Sequence, residues 1–201
     1  MMNAGIQRDA SLAEAPMVGD HLAMDLMNTR ARGNGALIDF WNSGIDVLAW
    51  LERCGVVRAP VDKAIDPEAL LAQATALRAL AHRLIVQRKE DKPGDASALN
   101  AYLHAYLSAP HLDSDSEGKL VLTRTARGDA LASLLGPVAE SVAQLLVDGD
   151  FNLVKQCEHP DCILWFYDRT KAHKRRWCSM ALCGNRHKAA QFRKRSSGEA
   201  Q

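Results

Sequence analysis

The chain has 201 residues, 47% of them apolar, and a formal net charge of +1. This composition is sufficient for a hydrophobic core and argues against intrinsic disorder. No run approaches about 18 consecutive apolar residues, the length of a membrane-spanning helix. The first twenty positions lack the basic start and apolar centre of a signal peptide. We therefore expect a soluble, cytoplasmic protein with no membrane partner.

Charged residues are segregated along the chain. Residues 1–150 hold 14 Lys and Arg against 20 Asp and Glu, whereas residues 151–201 hold 11 against 4. The net charge is thus −6 in the first part and +7 in the second. A basic appendage on an acidic body is typical of proteins that bind a polyanion, but a solvated charged tail has the same composition.

The first organised segment, residues 21–30, fits either a helix or a strand, and we favour a helix. Arg-Gly-Asn-Gly at residues 32–35 predicts a loop. Ser43 and Asp46 form a capping pattern that predicts the start of a short helix ending near residue 55.

Asp66 and Pro67 predict the start of a long helix that runs to about residue 90. Its apolar residues step by three and four, which predicts one buried stripe with Arg78 outside it. The members of this stripe are Leu70, Ala74, Leu77, Ala81 and Leu84. A second helix is expected over residues 96–107.

Residues 119–125 predict a strand, whose partner is either the segment around residues 111–112 or a segment near residues 33–40. Asp129 predicts the cap of a further helix through residue 147, with a kink or break at Gly136 and Pro137. The N-terminal part is therefore expected to be a mainly helical domain with a small sheet, covering residues 1–150.

Three side chains in this part are typical of a catalytic or metal site, but each has an ordinary structural interpretation. We interpret His82 and His104 as boundary histidines, because neither has a second ligand at metal-binding spacing. We interpret Cys54 as a buried free thiol. No nucleophile triad, phosphate-binding loop or paired carboxylates with supporting context are present, so we expect the protein not to be an enzyme.

Two cysteine pairs of equal spacing dominate the C-terminal part. Cys157 and Cys162 form one pair, Cys178 and Cys183 form the other, and fifteen residues separate the pairs. Two such pairs are what a tetrahedral zinc site requires. Disulfides are the alternative, but they need an oxidising compartment. Four thiolates complete the coordination of the ion and leave no position for water, so the pattern predicts one structural Zn²⁺ rather than a catalytic one. His159, His173 and His187 are less favoured as ligands.

The segments around the cysteines predict a hairpin followed by a helix. Residues 151–156 and 163–167 are predicted to form strands on either side of a tight turn, or knuckle, that carries Cys157 and Cys162. A helix is expected from Cys183 to about Arg195. Free N–H groups at the helix start would stabilise the thiolate of Cys183. Ala189 and Phe192 are expected to pack on the hairpin. This order of elements is that of a treble-clef zinc finger, and the overall class is α+β.

Basic side chains surround the predicted zinc site. Arginine and lysine neutralise phosphates, and arginine can also read guanine edges, so these residues are candidate nucleic-acid contacts. They are Arg169, Lys171, Lys174, Arg175, Arg176, Arg186, Lys188, Arg193, Lys194 and Arg195.

Several of these motifs resemble the CGNR zinc-finger family of bacterial proteins. The matching residues are the four cysteines, Phe166-Tyr167-Asp168, Arg175-Arg176-Trp177-Cys178 and Cys183-Gly184-Asn185-Arg186. Residues 22–29, Leu-Ala-Met-Asp-Leu-Met-Asn-Thr, resemble the start of the ABATE domain that precedes this finger.

The resemblance implies a DNA-binding finger at residues 151–201 and an ABATE domain that binds an unidentified ligand, in a stress-induced transcription regulator. Asp25, Asn28, Thr29 and Arg30 are the candidate ligand residues, with helix capping and core support as their structural alternative. The body could instead serve homodimerisation. An adaptor whose basic finger binds RNA or an acidic protein is the alternative function.

Overall fold

The structure is a computed structural model that describes residues 13–33, 35–57 and 65–198. Over these ranges, helices and three small antiparallel hairpins confirm the expected α+β class. The helices are α1 (Leu22–Met27), α2 (Gly44–Arg53), α3 (Pro67–Lys89), α4 (Ser97–Ala105), α5 (Ala130–Asp148) and α6 (Asn185–Gly198). The strands are β1 (Arg30–Gly33), β2 (Ala36–Asp39), β3 (Ser108–Ser114), β4 (Leu120–Ala126), β5 (Val154–Gln156) and β6 (Trp165–Tyr167).

The predicted helix starts are confirmed at their capping residues. At α2, Ser43 Oγ accepts a hydrogen bond from the Asp46 N–H, and the Asp46 carboxylate accepts one from the Ser43 N–H at 2.8 Å. At α3, the Asp66 carboxylate accepts from the Glu68 N–H at 3.0 Å, and Pro67 occupies the first helical position. Each cap satisfies N–H groups that have no partner inside the helix.

The strand expected over residues 119–125 is present as β4, and its partner is β3. Seven residue pairs form this hairpin, including Leu112 opposite Leu122. The loop expected over residues 32–35 is wrong in part, because Arg32 and Gly33 belong to β1 and pair with β2. The glycines of this segment nevertheless indicated a turn correctly, because Gly35 lies in a turn just before β2.

Helix α5 continues through Gly136 and Pro137, so the expected break does not occur. The glycine is needed for contact with Tyr106, just after α4. A Cβ atom on Gly136 would lie 2.1 Å from Cγ of that ring, which is too close for any real contact. Packing between α4 and α5 therefore explains a glycine that the sequence suggested was a helix breaker.

The apolar stripe of α3 is buried as predicted, but Arg78 is buried with it. Only 6% of Arg78 is exposed. Its guanidinium donates two hydrogen bonds to the Asp39 carboxylate, at 2.8 and 2.6 Å, and one to Thr29 Oγ1 at 2.9 Å. A planar guanidinium can be buried when a carboxylate binds it in this bidentate way.

Two hydrophobic cores connect the N-terminal body to the C-terminal segment. The main core joins α1, α2, α3, α4 and α5 and also takes in Val154 of β5. The second surrounds the cysteines and includes Ala31 of β1, with Phe40 packed against it. The C-terminal segment therefore packs against the N-terminal body through shared hydrophobic cores.

Helices α3 and α5 are long and apolar enough to span a membrane by length and composition alone, and 44% of each apolar window is buried in the core.

Candidate metal centre

Four cysteine sulfurs converge at one point of the C-terminal segment. All four lie within 4.8 Å of one another, and they are the thiols of Cys157, Cys162, Cys178 and Cys183. The Cys178 sulfur is 3.6 Å from that of Cys183 and 3.9 Å from that of Cys162. The metal ligands expected from the sequence are therefore brought together.

These distances fit a tetrahedral zinc site. Four sulfurs at about 2.3 Å from Zn²⁺ would lie about 3.8 Å from one another. A disulfide, by contrast, requires sulfurs about 2.05 Å apart, so neither close pair is a disulfide. The four cysteines are therefore positioned to bind one structural Zn²⁺, and their sulfurs would fill all four coordination positions.

The electrostatics of the cluster favour a bound cation. Hydrogen bonding with Cys162 lowers the pKa of Cys157, whereas hydrogen bonding with Cys157 raises the pKa of Cys178. Four thiols at this separation cannot all ionise unless a cation compensates the negative charge. Divalent zinc supplies that charge, so metal binding and folding of the segment are linked.

The first cysteine pair is positioned by a tight knuckle at the end of the β5–β6 hairpin. The Cys157 N–H donates to the Leu164 carbonyl at 2.9 Å, which closes the hairpin. The Cys162 N–H donates to the His159 carbonyl, also at 2.9 Å.

The second pair is held by a five-residue π-helical turn, Met180–Gly184, that leads into α6. Ser179 caps this turn, because its hydroxyl accepts from the Leu182 N–H at 3.1 Å. Its carbonyl accepts from the N–H groups of Cys183 and Gly184. The expectation that free N–H groups stabilise the Cys183 thiolate is therefore wrong at these two positions.

The three nearby histidines have other contacts. His159 Nδ1 accepts from the Asp161 N–H at 3.2 Å, and His173 Nδ1 lies 3.2 Å from the Asp168 carbonyl. The ring of His187 stacks on Trp177 with centroids 4.6 Å apart. Among the described residues, the cysteines alone form the metal cluster.

Asp168, in the Phe-Tyr-Asp motif, organises the loop between the cysteine pairs. It is fully buried and accepts from Lys155 Nζ at 2.7 Å, Thr170 Oγ1 at 2.6 Å and the Arg175 N–H at 2.9 Å. Burial opposes its ionisation, but these hydrogen bonds outweigh burial and hold the pKa of Asp168 well below its ordinary value. The buried carboxylate therefore remains charged.

Arg175, a candidate nucleic-acid contact, instead lies inside this scaffold. Its guanidinium donates to the carbonyls of Val18, Trp177 and Cys178, pairs with the Asp20 carboxylate, and lies 4.2 Å from the centroid of Phe166. Through these contacts the guanidinium joins the segment of Val18 and Asp20 to the segment that carries Cys178. The structure thus gives Arg175 a positioning role rather than a surface position.

The other basic candidates remain on the surface. Arg176 is 59% exposed, pairs with Glu158 at 2.6 Å and lies over the Trp177 ring. Those exposed in the loop after β6 are Arg169, Lys171 and Lys174; those exposed on α6 are Arg186, Lys188, Arg193, Lys194 and Arg195. Phe192 is 68% exposed, so the expected packing of Ala189 and Phe192 on the hairpin is wrong.

The four candidate ligand residues separate into three buried positions and one exposed position. Asp25 Oδ1 accepts from the Gly19 N–H at 2.8 Å, and Thr29 Oγ1 donates to the Leu26 carbonyl at 2.7 Å. Asn28 bonds twice to the backbone of Trp165. These three side chains support the core, whereas Arg30 lies at the surface in a cleft beside the hairpin.

The Arg78–Asp39 pair and the partners of Arg175 were not anticipated from the sequence. The expectation that Arg78 lies outside the stripe was wrong, and the signal against it was its spacing, because Arg78 stands four residues after Ala74 and three before Ala81. Asp20, in contrast, is separated from Arg175 by 155 positions, and no local pattern marks the pair.

Comparison with known families agrees with this geometry. The ABATE family model, described as "Putative stress-induced transcription regulator", matches residues 20–149, and the CGNR zinc-finger model matches residues 154–196. A search of curated proteins gave no match. Together with the cysteine cluster, the two matches support a zinc-binding regulator. The chain belongs to the ABATE family and carries a CGNR zinc finger.

Proposed function

We propose that this protein is a cytoplasmic, zinc-dependent transcription regulator that binds DNA through α6 and the adjacent loop, and that it catalyses no reaction. The observation that carries the proposal is the concentration of positive charge on α6. Residues 185–196 include five cations and no carboxylate. Arg186, Lys188, Arg193 and Arg195 have no carboxylate partner among the described residues.

The zinc centre supports such a surface by fixing where α6 begins. The π-turn that carries Cys183 leads directly into α6, and the His187 ring rests on Trp177. Arg176 lies on the same indole, with 5.0 Å between its guanidinium carbon and the ring centroid. The stack therefore places Arg176 beside the basic helix.

Duplex DNA fits this helix better than a small anion does. The major groove of B-DNA admits an α-helix, and its closely spaced phosphates can be neutralised by cations distributed around that helix. The order of knuckle, hairpin and metal-held helix supports classifying the finger as a treble clef.

Fluorescence anisotropy with a labelled duplex, measured across a salt series, tests the proposal. We expect log affinity to fall linearly with log salt concentration. Replacing Arg186, Arg193 and Arg195 together by alanine should reduce that slope by about 3, since each phosphate contact contributes about 0.9. The matched control replaces three exposed cations of the body, Arg83, Lys119 and Arg127, and should leave the slope unchanged.

The outcome also separates the proposal from an adaptor function. The proposal is wrong if duplex DNA shows no salt-sensitive binding at about 50 mM salt while single-stranded RNA or an acidic protein does bind. It is equally wrong if the body variant and the α6 variant lose the same affinity, because net charge alone would then explain binding.

A further inference from the structure

A cleft of about 590 Å³ lies between the N-terminal body and the β5–β6 hairpin of the finger. This volume is within the range of about 300–1,000 Å³ typical of small-molecule sites. One wall belongs to α1, β1, β2 and α3; the other is formed by Gln156, Ile163 and Trp165. A molecule in the cleft would therefore touch both parts of the protein.

The cleft carries a net positive charge. Arg30 and Arg78 line it, and none of the described residues that line it has a carboxylate. Asp39 is the carboxylate that contacts both arginines, but Arg78 binds both of its oxygens, at 2.8 and 2.6 Å. Arg30 Nε lies farther away, 3.7 Å from the same carboxylate. One carboxylate thus pairs with two guanidinium groups, and within the part of the chain that the structure describes the Arg30 guanidinium donates no hydrogen bond shorter than 3.5 Å.

The rest of the lining is largely apolar and includes a flat aromatic surface. Met27, Leu37, Ala79 and Ile163 form the apolar part together with the Trp165 indole. His82 stands edge-on to this indole, with centroids 6.3 Å apart. Burial, followed by the charge of Arg30, lowers the pKa of His82 below its ordinary value of 6.5, so it is a neutral hydrogen-bonding group at neutral pH.

We propose that this cleft binds a small aromatic carboxylate, with its carboxylate on Arg30 and its ring against Trp165 and Ile163. Arginine is suited to this role because its planar guanidinium binds a carboxylate with two parallel hydrogen bonds. The inference goes beyond DNA binding and does not depend on it. It also changes the location of the candidate ligand site, because Arg30 lines the cleft. The other three candidates, Asp25, Asn28 and Thr29, are buried and hydrogen-bonded in the core.

Isothermal titration calorimetry of the zinc-loaded full chain with 2-naphthoate tests the assignment. The neutral isostere 2-naphthamide is the matched ligand control, because it has the same ring system without the charge. We expect 2-naphthoate to bind one per chain, at least about tenfold tighter than 2-naphthamide, which corresponds to one charge-assisted hydrogen-bonded pair.

Two variants locate the binding. Arg30→Gln should weaken 2-naphthoate at least about tenfold and leave 2-naphthamide unchanged. Ala79→Leu should weaken both ligands, because the added side chain fills the cleft. Both parent side chains are exposed, so the variants should fold, and unchanged zinc content checks this. Arg83→Gln, on the same helix but outside the cleft, should bind as wild type does.

The proposal is overturned if 2-naphthoate does not bind, or if it binds no tighter than 2-naphthamide. It is also overturned if Arg30→Gln and Ala79→Leu retain wild-type affinity, because binding would then occur elsewhere on the protein. A failure of DNA binding would not affect this result, since the titration contains no nucleic acid.

Discussion

The side-chain amide of Asn28 exchanges two hydrogen bonds with the backbone of Trp165. Asn28 Nδ2 donates to the Trp165 carbonyl, and Asn28 Oδ1 accepts from the Trp165 N–H, both at 2.8 Å. The side chain thus acts as a neighbouring strand would, on the edge of β6 that does not face β5. Asn28 is 1% exposed and lies 137 positions away in sequence, so this contact links the body to the zinc finger.

Replacing Asn28 should weaken the whole protein rather than a ligand site. Asn28→Ala leaves two backbone groups of Trp165 without partners, and we expect it to lower the free energy of unfolding by about 2–4 kcal/mol. Urea denaturation followed by circular dichroism measures this loss. Asn100→Ala, at an exposed position on α4, should change stability by less than about 0.5 kcal/mol. Comparable losses in both variants would contradict the linking role of Asn28.

The buried Arg78 should tolerate neither an apolar residue nor lysine. Arg78→Met leaves the Asp39 carboxylate without its bidentate partner, and losing one member of a buried ion pair costs about 3–5 kcal/mol. Because the Asp39 side chain is 37% exposed, we expect a smaller loss, about 2–4 kcal/mol.

Arg78→Lys tests the geometry directly. An ammonium group cannot bind both carboxylate oxygens and Thr29 Oγ1 in the same plane, so lysine should restore only part of the stability. Thermal or urea unfolding compares both variants with Arg83→Met, which alters an exposed arginine of the same helix. Full recovery with lysine would show that charge alone, rather than the planar fork, stabilises this site.

Asp25 should make the protein less stable as the pH rises. Burial raises the pKa of Asp25 to about 6 from an ordinary 3.8, although the hydrogen bond from the Gly19 N–H opposes the shift. The folded protein therefore binds this proton more tightly than the unfolded chain does. Its favourable contribution is lost as the pH rises from about 4 to about 6.

Asp25→Asn removes this titration and keeps an oxygen to accept from the Gly19 N–H. Its stability relative to wild type should therefore increase by about 1 kcal/mol between pH 5 and pH 7. Urea unfolding at several pH values gives the difference, and Glu140→Gln on the exposed face of α5 controls for the loss of one negative charge. A pH-independent difference for Asp25→Asn would contradict the raised pKa.

Zinc binding should depend on Cys178 and not on Cys54. Mass spectrometry under native conditions should find one zinc per chain in the wild-type protein and in Cys54→Ser, because Cys54 lies outside the sulfur cluster. Cys178→Ser should lose zinc and destabilise the finger, since a serine hydroxyl is a poor replacement for a thiolate ligand. Retention of full zinc and stability in Cys178→Ser would refute the four-sulfur assignment.

Patterns confined to neighbouring residues were reliable guides to this fold. The caps at Ser43 and Asp66 depend on atoms within one helical turn, and both are present. Gly136 shows where such patterns fail. Its role depends on Tyr106 of another segment, so its local preference for ending a helix did not decide the outcome.

The sequence by itself determined the zinc centre, because equal cysteine spacing leaves few ways to complete a tetrahedron of sulfur. Spacing also predicted the α+β class and the basic helix. Only the tertiary structure decided which polar residues support the fold and which are available to a ligand. Arg175 and Asn28 are used in contacts across more than 130 positions, while Arg30 is left at a cleft. The physical reason is that burial and pairing depend on contacts between segments that are distant in sequence, and residue type alone does not specify those contacts.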